Sequence, residues 1–210
     1  MMFQHNSLSD KILFLKFGLL NLILFLLVYV PTNNLPHETY FQPYFFWELQ
    51  IQRIDWMIIP YHSFNLLFLF PLFLLRDRHI KILGVSFFLS TVIAGLFFII
   101  FPTQLGFVRI VPEGFFTFFY EYLYKLDNTT NLVPSLHVTY VTLYFISCVP
   151  FLKRKLSKIL FTLFTLTIIS STFFTHQHHI VDIISGILLA SSVYWFISYK
   201  LFQENSQHLK

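Results

Sequence analysis

Thr175 to Asp182 reads Thr-His-Gln-His-His-Ile-Val-Asp, and within it His178 and Asp182 stand four residues apart. On a helix that interval puts both side chains on one face. The carboxylate can then hold one imidazole nitrogen, fix the tautomer and leave the other lone pair free. An imidazole oriented in this way has the form of an activated nucleophile or a general base. The same pair also suits a plain helix start, where carboxylate and imidazole do no more than satisfy each other. His179 is rotated away from the pair.

A second group, Asn131 to Val138, reads Asn-Leu-Val-Pro-Ser-Leu-His-Val. Pro134 suits the first turn of a helix, where unpaired backbone N–H groups make a seat for a phosphate or another oxyanion. Ser135 and His137 are two apart and face different ways, so His137 is not expected to activate Ser135 as a nucleophile. The better division makes His137 a proton donor and Ser135 an oxyanion contact. A third stretch, Phe101 to Pro112, contains Arg109, suited to a headgroup, a carboxylate or a phosphate. Two histidines, a carboxylate, a serine at a helix start and an arginine are the parts required to transfer a phosphoryl group without a metal.

These residues must be held by membrane helices. The chain has 210 residues, of which 56% are hydrophobic and 11% charged, against roughly 25% charge in soluble domains. A soluble enzyme, a disordered chain and a nucleic-acid binder are all disfavoured. Apolar runs long enough for a ~30 Å hydrocarbon core predict an all-α, polytopic bundle of six transmembrane helices in a single domain over 1–210. The spans fall at about 12–30, 57–75, 82–101, 134–152, 159–174 and 183–199. The first has no small-residue cleavage site after it and is read as retained.

Alternating the loops between two sides sends eleven of the fourteen basic residues to one of them, from Lys11 and Lys16 through Lys153–Lys155 to Lys210. The other side keeps only Arg53, Arg109 and Lys125, so both termini are expected to be cytoplasmic. Loops 31–56, 102–133 and 175–182 then face outward, with His37, His62, His137, His176, His178 and His179. The basic pI near 9.1 reflects this topology and implies no nucleic-acid partner. Aromatic segments at Tyr40–Trp47, with Trp56, and at Phe115–Lys125 are expected to lie at the membrane interface, as anchors or as a vestibule for lipid. Asn128-Thr129-Thr130 matches a glycosylation acceptor. Cys148, alone in its chain, can form no internal disulfide and is expected to be a packed hydrophobe.

Pro134 to Val138, followed by Ser171 to Gly186, resembles the second and third signature motifs of the type 2 phosphatidic acid phosphatase superfamily, membrane enzymes of six helices. The resemblance spans about Asp55 to Gly186. It implies that His178 becomes a phosphohistidine, Asp182 orients it, His137 protonates the leaving oxygen and then deprotonates the acceptor, and Ser135 contacts the phosphate. It implies no metal and no cofactor. The third motif has Ser171-Thr172 where the phosphatases have Ser-Arg. The Lys and Arg-Pro of the first motif are absent, with Pro102-Thr103 and Arg109 in their place, so Arg109 stands as the phosphate ligand. With the segment Ile54 to Phe70, this pattern is more similar to the inositol phosphorylceramide synthase-like branch, whose members move phosphorylated headgroups between lipids. A phospholipid or isoprenoid-phosphate substrate, and a lipid alcohol as acceptor, are the implied partners.

Hydrolysis and transfer are both consistent with these motifs. Other classes to be weighed are a catalytically inactive lipid-binding or transport protein, and a haem or metal protein using the outward histidines. The small size and short loops lean towards a bacterial inner membrane, with the active site periplasmic.

Overall fold

A computed structural model describes residues 7–207, with side chains to Leu201, so Lys210 lies outside the described residues. Helix α1 (Leu8–Asn33) starts from a capping box, in which Ser7 Oγ accepts from Asp10 N and Ser7 N donates to the Asp10 carboxylate. The segment after it forms a 3-10 turn at Phe46–Gln50. Next come α2 (Ile58–His62) and α3 (Leu69–Leu74), α4 (Asp77–Ile100), α5 (Thr117–Leu126), α6 (Leu136–Cys148), α7 (Lys155–Phe174) and α8 (Ile180–Gln207). Among the described residues there is no strand, only isolated bridges from Phe41 to Thr103 and from Gln104 to Thr130.

Five of these segments are long and apolar enough to cross a membrane: Leu8–Asn33, Asp55–Leu74, Asp77–Ile100, Lys155–Phe174 and Ile180–Leu201. The protein is therefore an integral membrane protein, and its exposed leucines on α1, among them Leu15, Leu19 and Leu26, have lipid rather than water as their natural neighbour. The span expected at 134–152 is shorter. Its helix α6 has 13 residues, about 20 Å of rise, and a 3-10 turn at Val149–Phe151 carries it on to Phe151. The reason lies in where α6 sits. It packs against α4, α7, α8 and α3, and Val138, Val141, Leu143 and Cys148 are fully enclosed. A mainly apolar helix wrapped by others, with even its Thr139, Thr142 and Ser147 buried, is a core helix, and packing sets its length as much as the bilayer does.

The span from Asp55 to Leu74 is not one regular helix. It runs 3-10, α, 3-10, α through Pro60 and Pro71, where each proline removes a backbone donor. Side chains there leave the usual 3.6-residue stacking, and Tyr61, His62 and Phe64 fan out towards α5 and α6. Helix α5 buries Tyr120 and Leu123 on Ile58 and Tyr61 and leaves Phe118 and Tyr122 exposed.

Small residues let the long helices close. At Gly84 an added Cβ would lie 2.3 Å from the Phe17 ring, and at Gly95 it would lie 2.3 Å from Val28, so side chains of α1 seat directly on the bare glycines of α4. At the other contact, a Cβ on Gly186 of α8 would meet the Ser135 carbonyl at 2.7 Å and Thr139 N at 3.3 Å. Thr139 Oγ1 donates to the Gly186 carbonyl at 3.1 Å across the same gap. Gly186→Ala therefore forces α6 and α8 apart beside His137. The expected result is a loss of about 1–3 kcal/mol, seen as a lower unfolding midpoint in detergent; an unchanged midpoint would mean that another contact sets the spacing.

Candidate active site

The site gathers where α1, α4 and α7 end and α6 and α8 begin. Backbone bonds weave the loops there into one surface: Phe41 N to Pro102 O, Leu105 N to Thr129 O, Ile54 N to Phe174 O and Ser135 N to Asp182 O. Two turns use left-handed backbone at residues other than glycine, Asn131 (φ 57°) and His176 (φ 58°). His176 follows the end of α7 and lets the chain reverse into α8, its Nε2 donating to the Ile51 carbonyl at 3.0 Å while its ring stacks on Phe107 at 4.0 Å.

Asp182 lies in the first turn of α8 and is wholly buried. Its Oδ2 accepts from His179 N at 2.7 Å and from His178 Nδ1 at 3.3 Å. The carboxylate thus caps its own helix and keeps the His178 proton on Nδ1, so that Nε2 carries the lone pair. His178 is 8% exposed. It interacts electrostatically with His137 and with Asp127, and Asp127 in turn with Arg109. His178 bonds Asp182 and Ser135 N donates to the Asp182 carbonyl, so the two histidine-bearing segments meet here, with His137 and Arg109 linked to the group electrostatically through His178 and Asp127.

His137 stacks on Tyr61 at 4.4 Å and packs on Phe64 at 4.7 Å; its Nε2 has no hydrogen-bond partner. Ser135 is buried at the N-cap of α6, where its Oγ accepts from Val138 N at 3.3 Å. Its own proton can still be donated, but the hydroxyl is first a helix cap. Pro134 precedes this cap instead of lying in the first helical turn. Arg109 Nη1 donates to the Asp127 carbonyl at 2.5 Å, and Nη2 donates to Asn128 O at 2.9 Å and to Gln177 Oε1 at 3.2 Å. It ties the loop before α6 to the residue beside His178, and its buried Nε is left without a partner.

His179 has a different task. Gly106 N donates to its Nε2 at 3.0 Å, so its Nδ1 carries the proton and donates to Glu48 at 2.8 Å. The ring lies between Tyr44 at 4.6 Å and Phe107 at 4.4 Å. Glu48, fully buried, also accepts from Ile180 N and Phe45 N. This strut joins three loops and leaves both ring nitrogens of His179 occupied.

Sequence reasoning missed Glu48, Tyr29 and Asp127. Tyr29 donates to Asp127 at 2.5 Å, and burial pushes the Asp127 carboxyl above its ordinary value while Tyr29 and Arg109 oppose the shift. Both partnerships join residues about a hundred positions apart, with no local signal. The Asn128 amide, read as a glycan acceptor, instead donates to Asn33 O at 2.8 Å and Asn34 Oδ1 at 3.1 Å. Among the described residues no three His, Cys, Asp or Glu side chains converge as a metal site would require.

Glu48→Ala should destabilise the protein by roughly 2–4 kcal/mol, because one buried donor, His179 Nδ1, and two part-buried backbone donors lose their acceptor at once; calorimetry in detergent reads this directly. For Asp127 the sign follows from its raised carboxyl. Its contribution is complete below the ordinary value of 3.8 and is lost as pH rises through the higher folded value. Asp127→Asn, which keeps an acceptor for Tyr29, should therefore lose the fall in unfolding midpoint that the unaltered protein shows as pH rises above 3.8.

A family model described as the PAP2 superfamily matches residues 55–196. No curated protein and no solved structure matches the chain. Since the matched stretch is more than half of the sequence and contains both histidine motifs, the protein belongs to the PAP2 superfamily.

Proposed function

We propose that the protein is a metal-independent lipid phosphatase or phosphotransferase that works through a phosphohistidine on His178. Membership of a phosphatase superfamily supports the reaction class. The observation that carries the mechanism is the His178 Nδ1 bond to buried Asp182, with the partner-free Nε2 of His137 nearby.

In the first step His178 Nε2 attacks phosphorus, the P–N bond forms, the P–O bond to the leaving alcohol breaks, and His137 gives that oxygen its proton. In the second, water or a lipid alcohol attacks, the P–N bond breaks, and His137 takes the proton back. One imidazole thus serves as acid and then as base, a role worth roughly 10²–10⁴-fold. Asp182 holds the nucleophile's tautomer and steadies the imidazole as it gains positive character. The substrate class is a lipid phosphate, diphosphate or phosphodiester, isoprenoid phosphates included. The Thr172 in place of an arginine and the Ile54–Phe70 segment favour the inositol phosphorylceramide synthase-like branch, and with it transfer to a lipid alcohol. The basic clusters at Arg76–Lys81 and Lys153–Lys158 lie at the bundle end opposite the site, which supports an active site on the non-cytoplasmic face, periplasmic in a bacterial inner membrane. The exposed Phe45, Phe46, Trp47, Phe115 and Phe118 suit contact with headgroups there.

Detergent-purified protein incubated with labelled phospholipid, with and without a lipid alcohol, tests the reading. His178→Ala should abolish turnover and phosphoenzyme, whereas His137→Ala should accumulate labelled enzyme from a substrate with a good leaving group. EDTA should leave the rate unchanged. Full activity in either variant would overturn the assignments, and label appearing only in the acceptor lipid would identify a transferase.

A further inference from the structure

An in-line displacement puts the attacking and departing atoms on opposite sides of phosphorus. With His178 as nucleophile, as the proposed function has it, the departing oxygen and the group that bears it lie on the His137 side. A cavity of about 260 Å³ opens there, with His137 in its wall. Ligand pockets span roughly 300–1,000 Å³, so this one holds part of a lipid and not the whole. Its remaining walls come from the broken segment before α4 and from α5. Phe64, Leu123 and Leu126 are apolar, His62 and Asn65 are polar, and no lysine or arginine lines it. A second phosphate is therefore a poor occupant, and an alcohol is a good one.

His62 narrows the choice. It makes a hydrogen bond to the Phe119 backbone, which takes the proton of one ring nitrogen, and its Nε2 is buried without a partner. In a neutral imidazole that second nitrogen is an acceptor. Asn65 is anchored beside it by donating to the His62 carbonyl at 3.2 Å. We infer that this cavity binds the alcohol half of the substrate, and that His62 selects a lipid alcohol carrying a second hydrogen-bond donor next to the reacting oxygen. An alcohol without such a donor leaves the imidazole unpaired in an apolar wall.

The test is photolabelling of the detergent-purified protein with a diazirine-bearing monoacylglycerol, which keeps a free hydroxyl beside the reacting one. Label should map to residues 55–68 and 117–126. Unlabelled monoacylglycerol should compete roughly tenfold better than diacylglycerol or farnesol of matched apolar size. His62→Leu should erase that preference and His62→Gln, which restores an acceptor, should recover it. Label elsewhere, or equal competition by the three alcohols in the unaltered protein, overturns the inference. The readout needs no turnover. A protein that labels as expected but converts no lipid phosphate refutes the proposed function alone, whereas one that turns over and labels elsewhere refutes only this inference.

Discussion

Asp182 is the residue on which the geometry of the site turns. One of its carboxylate oxygens accepts from the backbone that opens α8 and from the imidazole of His178, and its carbonyl accepts from Ser135. Helix start, tautomer of His178 and register between α6 and α8 are thereby set by a single side chain and its own peptide. Its other oxygen is buried and without a partner, an acceptor whose desolvation only a nearby positive charge or donor would offset.

Around that node the protein builds a support from its first 54 residues, ahead of the stretch that matches the family. Tyr29 bonds Asp127, Asn33 takes Asn128 and Thr130, Thr32 takes Asn131, and Glu48 takes His179. The first two brace the loop ahead of the second motif, and the last two reach into the motif segments themselves at Asn131 and His179, beside His137 and His178 in sequence. The side chains nearest the chemistry are thus fixed in place by a second layer, the condition for keeping reacting groups within a fraction of an ångström. Arg109 belongs partly to this layer, because two of its bonds go to main-chain carbonyls.

The sequence disclosed what depends on neighbours along the chain. His178 with Asp182, four positions apart, was legible from the interval, although His178 precedes α8 and meets the carboxylate from the turn ahead of it, and the start of α6 was legible from Pro134 and Ser135 ahead of an apolar run. The long apolar helices were legible from length and composition. The shortness of α6 was not, since apolar residues read alike whether they face lipid or other helices, and only the packing distinguishes them. Glu48 with His179 and Tyr29 with Asp127 were hidden for a different reason: partners 131 and 98 positions apart leave no periodicity. Ser135 carried two compatible meanings, cap and ligand, and its bond to Val138 N displays the first.

The left-handed turn at His176 constrains what can replace that residue. Glycine, asparagine or aspartate would accept the backbone angle with little strain, while a β-branched side chain would oppose it. Yet only an aromatic donor both reaches the Ile51 carbonyl and covers Phe107. Substitutions there face two independent filters, one conformational and one of surface shape, and few amino acids pass both. Position 176 is therefore restricted by backbone angle and packing alone, and such restriction next to His178 is not by itself a sign of a chemical role.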